Sequence, residues 1–265
     1  MTDNAEGRYE GSDIYSDLDI PKIESLADTQ PHRIVDRTIV AAAEEGNESR
    51  LLNLSAGLNI VYAGYARTWI VLPSTIWGLA DNIFVKEGLQ NPQSQQVPGM
   101  IKLAVNLGKA VYVGEGKNIW PHVHIDEGVQ SVLSCVVWPR LTYLEIPQVG
   151  KFYSILFDAI LSGKQPPSGR NGYYFLESGE YDQLAAVRVI AKGLYARGKV
   201  TSPEAIQLNE TEVDSELYKL ALLGMGTNSR ARGERGRQLG WNPLQTTEDF
   251  FASIQADVDY WVKTH

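Results

Sequence analysis

An α/β fold with a largely parallel sheet is what this sequence predicts, and three observations predict it. Short β-branched runs alternate along the chain with longer segments whose apolar residues recur at helical spacing. The strand-like run TWIVLP is apolar at nearly every position, as in a strand covered on both faces. The chain has 265 residues with 43% hydrophobic content, ample for a buried core, and shows no repeat period or low-complexity tract.

The elements follow in order. Residues 1–31 are acidic and turn-rich, and are expected to form an irregular surface segment. From His32 to Glu45 the residues Ile34, Val35, Ile39, Val40 and Ala43 mark a helix, which Gly46 is placed to stop. TWIVLPSTIWG (68–78) reads as a buried strand, punctuated by Pro73 and Gly78, that runs into a loop. A Gln/Pro-rich loop (90–98) precedes a helix carrying Met100, Leu103, Ala104 and Leu107, with Gly108 as its stop. AVYVG (110–114) is a short strand, 151–163 an apolar helix, 172–178 a strand and 181–198 an amphipathic helix. ELYKLALLG adds a further helical stretch, and Thr247 precedes a closing helix with Phe250, Ile254, Val258 and Trp261 on one face.

Charge and composition narrow the function classes. A formal charge of −8 and a pI near 5.1 argue against nucleic acid or an anionic membrane as the main partner, since both require a basic footprint. RARGERGR (230–237) contains Glu234 and reads as a solvated helix face. The single cysteine, Cys135, excludes an internal disulfide and fits a reducing compartment. MTDNAEGRYEGSD has neither the basic nor the apolar region of a signal peptide, and no apolar run approaches the ~20 residues that span a bilayer. A cytoplasmic protein with a small-molecule substrate is the expectation, its oligomeric state left open.

One stretch imitates a metal site. WPHVHIDEGVQ (120–130) sets His122, His124 and Asp126 two residues apart, and all three are ligand types for zinc or a transition metal. The competing reading is a strand whose alternate side chains share a face, ending at the acidic first turn of a helix. A stable site needs further ligands, and the other histidines are His32 and His265, so no metal is expected.

Three segments resemble the second half of an extended short-chain dehydrogenase/reductase, of the NAD(P)-dependent epimerase/dehydratase kind. IVLPSTIWG is similar to the family's strand and Pro-containing loop beside the nicotinamide. VGEGKNIWPHVHIDE resembles its glycine turn and the acidic helix start near the substrate. NSRARGERGRQLGWNP followed by TTEDFFASI looks like its C-terminal basic helix, turn and closing helix. The resemblance implies an incomplete Rossmann-like parallel sheet with the substrate-domain elements over residues 32–265. It implies hydride exchange between NAD or NADP and a small carbonyl, hydroxyl or sugar-like substrate. It implies Pro73, Ser74 and Thr75 as cofactor-flanking residues, and Asn118, Trp120, His124 and Asp126 as substrate-pocket residues. In that setting the histidine and the carboxylate start a helix and bind no metal; Asp126 and Glu127 would favour the positive end of its dipole.

The sequence also departs from the family. No apolar strand is followed by the glycine-rich turn that admits a pyrophosphate to a helix N-terminus, and GEGKNIW (114–120) lacks both a third glycine and a following helix. His32 and Asp36 stand where the family's Tyr-x-x-x-Lys pair opens the first helix, and an aspartate cannot lower a tyrosine pKa as a lysine does. Tyr15 or His32 as a substitute acid is open, and no catalytic residue is assigned. Two apolar stretches, 51–65 and 128–148, interrupt otherwise continuous elements and read as insertions or translated intron sequence, with Met1 an internal start of an incomplete gene model. Binding of NAD by this chain is therefore doubtful on sequence. The alternative function is a non-catalytic binding or regulatory protein, or an inactive fragment.

Overall fold

The computed structural model describes residues 13–44, 57–62, 65–125 and 151–265. The fold is mixed α/β. Its main layer is β3 (Tyr65–Pro73), flanked antiparallel by β2 (Gly57–Tyr62) and parallel by β7 (Tyr173–Leu176). A second sheet places β4 (Thr75–Trp77) parallel to β6 (Ile119–His124), and β6 antiparallel to β8 (Gly179–Asp182). Two short parallel pairs complete it, β1 (Tyr15–Ser16) with β10 (Ala231–Arg232) and β5 (Val111–Tyr112) with β9 (Ile206–Gln207). Of the stretch 51–65 read as an insertion, residues 57–62 supply β2 and so pair one edge of β3; residues 128–148 lie outside the described residues.

Alternation along β3 and β7 builds a layer on each face of the sheet. Trp69, Val71, Tyr174 and Leu176 point one way, onto Phe152, Leu156 and Ile160 of α5 (Lys151–Leu161) and onto Trp241. Ile70, Tyr173 and Phe175 point the other way, onto α1 (Ile20–Glu24) and onto Ile39 and Val40 of α2 (Arg33–Glu44). Covered on both faces, the strands have no solvated side to show, which is why TWIVLP is apolar at every position after Thr68. The largest cluster gathers α4 (Gln96–Leu107), α6 (Gln183–Ala196) and α9 (Thr247–Thr264) through Ile101, Ile190, Ile254 and Val258. Gly108, at φ 68, ends α4 in the left-handed conformation expected of it.

Local details differ from the sequence expectation where a distant partner decides. Within the stretch read as an irregular surface segment, Tyr15–Ser16 form a strand and Ile20–Glu24 a helix, because Asp17 is held between them. Asp17 is 0% exposed; its Oδ2 accepts from Phe175 N at 3.1 Å, and its Oδ1 from Glu234 N at 2.9 Å and Arg235 N at 3.0 Å. RARGERGR is not a solvated helix face. It is β10 followed by the five-residue helix α8 (Glu234–Gln238), and three of its arginines pair with carboxylates: Arg230, well covered, and the half-exposed Arg232 meet Glu180, and the half-exposed Arg237 meets Glu177. Gly233 between them admits no side chain, since a Cβ there would stand 2.0 Å from Phe175 O. The closing helix is capped by Thr246, whose hydroxyl accepts from Asp249 N, while Thr247 is its first helical residue.

Asp17→Asn replaces one acceptor oxygen by a donor facing backbone N–H groups, in a fully buried place. We expect it to destabilise the chain by about 2–4 kcal/mol in denaturant unfolding. Glu234→Ala, at an exposed carboxylate on the same junction, should change stability by no more than about 0.5 kcal/mol.

Candidate functional site

The end of β3 opens onto a cavity of about 790 Å³. Its floor is Val71, Leu72, Pro73 and Ser74. One wall is the start of α2, with His32, Val35 and Asp36; another is α4, with Gln96, Gly99, Met100 and Leu103. Helix α7 (Ser215–Met225) lines the third wall with Leu217, Leu220 and Leu223, and Trp120, Gln183 and Ser229 close the far end. The floor is rigid because Ser74 is doubly tied to β7: its N–H and its hydroxyl both donate to Leu176 O, at 3.1 and 2.8 Å.

Polar groups in this lining are few and unevenly satisfied. Asp36 is 7% exposed, and its Oδ1 has no hydrogen-bond partner among the described residues. Burial pushes its carboxyl up from the usual range, against the pull of Arg33 and His32. Arg33, its neighbour on α2, turns away from the cavity: its guanidinium donates to Glu24 O at 3.1 Å and lies 3.5 Å from the Tyr173 hydroxyl. His32 enters the helix with φ 65, a left-handed backbone at the cavity wall. Gln183, 1% exposed, likewise has an Oε1 without a partner among the described residues.

The residues singled out from the sequence are distributed as follows. Pro73, Ser74 and Trp120 line the cavity together, and Trp120 is oriented by its indole N–H, which donates to Thr227 O at 2.6 Å. Thr75 and Asn118 are buried behind it. Thr75 Oγ1 lies 3.1 Å from the Tyr181 hydroxyl, and Asn118 Nδ2 donates to Thr227 O at 2.9 Å. His124 packs edge-on to Trp77, ring centroids 4.4 Å apart, beneath the turn at Gly78. Asp126 lies outside the described residues. The α7 leucines and Gln183 were not anticipated. Leu217, Leu220 and Leu223 recur every third residue, a stripe visible in ELYKLALLG, but the sequence does not say whether such a stripe meets a core or a cavity.

His122 spends both ring nitrogens on the protein. Trp77 Nε1 donates to its Nδ1 at 3.1 Å, so the neutral ring carries its proton on Nε2, 2.9 Å from Thr247 Oγ1. The ring stacks on Phe250 at 5.0 Å, and burial pulls its pKa down to about 4. No group of three His, Cys, Asp or Glu side chains among the described residues is arranged to hold a metal ion.

A dinucleotide finds only part of its site in these residues. Pro73 and Ser74 could wall a nicotinamide, but a pyrophosphate needs free backbone N–H groups at a helix start. The turn at 114–118 does not offer them: Gly116 N donates to Val113 O at 3.0 Å, and a Cβ at Gly116 would lie 2.8 Å from Leu184 Cβ. That turn leads into β6, not into a helix. The described residues do not fit the whole cofactor.

No family model matches the sequence. In structure, a dTDP-glucose 4,6-dehydratase from Bacillus anthracis, solved in complex with NAD, matches with a TM-score of 0.51 and 14% identity, over 100% of this chain and 60% of that one. The PbgP3 protein of Burkholderia pseudomallei matches at 15% identity and a TM-score of 0.46, over 88% of this chain and 52% of that one. In sequence, the oxidase ucsJ of an Acremonium species is 25% identical over 158 residues, 59% of this chain and 41% of that protein. The chain thus spans less than two thirds of the length of each of these proteins. The likeness to the dehydratase shows the fold: this chain has a Rossmann-like α/β fold like that of the dehydratase. No helix among the described residues is long and apolar enough to cross a membrane.

The buried His122 makes stability depend on pH. Its pKa falls on folding from 6.5 to about 4, so the unfolded chain binds the extra proton and stability is lost as the pH drops through that window. We expect a loss of about 2–3 kcal/mol between pH 7 and pH 4 that His122→Gln abolishes. Asp257, buried and raised to about 6, works in the opposite direction, losing stability as the pH rises from its unfolded value. Its contribution is common to both proteins and cancels in the difference between their urea-unfolding free energies.

Proposed function

We propose that this chain is the substrate-facing portion of an NAD(P)-dependent oxidoreductase or epimerase of the extended short-chain dehydrogenase/reductase type. Its substrate is a small molecule carrying a carbonyl or hydroxyl group. The observation that carries the reading is the cavity at the end of β3, floored by Pro73 and Ser74 and faced by the start of α2. In a parallel α/β sheet the crevice beyond the carboxyl ends of the strands is where ligands bind. Trp120 then belongs to the substrate end of the cavity, and Thr75, Asn118 and His124 act from behind, holding the turn and strand that shape it. Asp126 remains assigned to the pocket by the resemblance alone.

As the sequence stands, the chain binds its small molecule without completing hydride transfer. Asp36 occupies the position of an ammonium that would support a proton-donating phenol, and a carboxyl group there has the wrong charge for that task. The chain therefore acts as a binding or regulatory protein, while its fold is that of an enzyme. No catalytic role is assigned to His32 or Tyr15.

Calorimetric titration with NAD and with NADP tests this directly. We expect no saturable binding by this chain beyond the weakest millimolar association. Low-micromolar binding of either dinucleotide would overturn the non-catalytic reading and require a phosphate cradle elsewhere in the chain.

A further inference from the structure

We propose that the cavity at the end of β3 selects an uncharged, largely hydrocarbon ligand bearing a hydroxyl or similar hydrogen-bond donor, and excludes phosphorylated and nucleotide-linked ligands. This rests on the reading of that cavity as the substrate site, and it names the class of substrate.

Three observations carry it. The first is what the lining lacks: among the described residues, no lysine or arginine borders the cavity. The nearby guanidiniums are committed elsewhere, Arg33 to Glu24 O and toward Tyr173, and Arg230 to the Glu180 carboxylate at 2.7 Å. A diphosphate brought here would lose its water and, among the described residues, meet no lysine or arginine, with the Asp36 carboxyl in the same wall.

The second is what the lining supplies. Val35, Leu72, Met100, Leu103, Leu220 and Leu223 present hydrocarbon from four different elements, α2, β3, α4 and α7. Leu220 and Leu223 are 67% and 50% exposed, so the apolar surface extends to the rim. A volume of about 790 Å³ is ample for a multi-ring or long-chain molecule.

The third is the sense of the unmet hydrogen bonds. The buried side-chain atoms of the lining that have no partner among the described residues are Asp36 Oδ1 and Gln183 Oε1. Both are acceptors. Each atom has almost no accessible surface, so a ligand hydroxyl donates to it once the Asp36 or Gln183 side chain turns toward the cavity, whereas a phosphate dianion has nothing to donate.

Gly99 provides the means to test this without disturbing the core. It lies on the α4 wall, and a Cβ added there meets nothing within 4 Å. Gly99→Trp should therefore fill the cavity from the wall, and Gly99→Ala should leave it open while raising the melting temperature through its helix propensity. Equilibrium dialysis against naphthol, naphthyl phosphate and naphthylmethylamine compares one hydrocarbon frame in its neutral, anionic and cationic forms.

We expect naphthol to bind at least about tenfold more tightly than naphthyl phosphate. Gly99→Trp should weaken naphthol binding by about tenfold or more, with a cooperative melt retained. Equal or tighter binding of naphthyl phosphate overturns the proposal, as does the absence of naphthol binding or its insensitivity to Gly99→Trp. Tighter binding of naphthylmethylamine overturns the neutral assignment and makes Asp36 a counter-ion. These results are independent of dinucleotide titration, so tight NAD binding would overturn the non-catalytic reading and leave the ligand class standing.

Discussion

The carboxylate of Asp17 is the constraint on which the arrangement of this molecule depends. It is fully buried, and it joins three parts of the chain that are far apart in sequence: its own turn, strand β7 through Phe175 N, and the start of α8 through Glu234 and Arg235. Burial pushes its pKa up, and the three N–H donors and Arg235 oppose that push. The consequence reaches the cavity. Strand β7 is held against β3 in the register that pairs Pro73 with Leu176, and Leu176 O is the acceptor that fixes Ser74. The same junction sets Gly233 against Phe175 and brings Glu177 within 2.7 Å of Arg237, where the chain leaves β7 for β8.

How much of this was legible depended on whether the deciding partner was near in sequence. Apolar periodicity placed α2, α4, α5 and α9 to within a few residues, since a helix that must bury one face writes that face into its own sequence. TWIVLP read correctly as a strand covered on both sides. What could not be read were features decided across the fold. Asp17 looks like one more acid in an acidic segment until Phe175 and Glu234 are brought to it. The arginines of RARGERGR look solvated until β8 presents Glu180 and the turn before it presents Glu177. In the candidate site, the floor residues Pro73 and Ser74 and the far-end Trp120 carried motifs. Gln183 and the leucines of α7 carried none, because helix periodicity marks a buried stripe and does not say what lies over it.

The spacing His-Val-His shows the same limit at the level of two residues. Alternate residues of a strand share a face, so His122 and His124 both reach Trp77. That much the sequence states. Whether two such rings hold an ion or pack against an indole is settled by their surroundings: the indole N–H occupies Nδ1 of His122, Thr247 faces Nε2, and Phe250 covers the ring. A nitrogen already accepting a hydrogen bond in a dry pocket has no lone pair left for a metal.

Charge links the remodelled start of α2 to the chemistry the cavity can support. A lysine beside the floor of such a site would attract anions and lower the pKa of a neighbouring phenol. Asp36 does neither. Its own burial raises its pKa and leaves Oδ1 in want of a donor, while the guanidinium one turn earlier on the helix is drawn off to Glu24 O. The surrounding wall is hydrocarbon from α2, α4 and α7, so the energetic gain on filling it comes from apolar area removed from water rather than from ion pairing. On the proposed reading, a carboxyl at this place in the wall favours retention of a neutral guest over proton transfer. Asp36 stands on the same face of α2 as Ile39 and Val40, three and four residues farther along, so its carboxyl is buried where that packed face reaches the cavity.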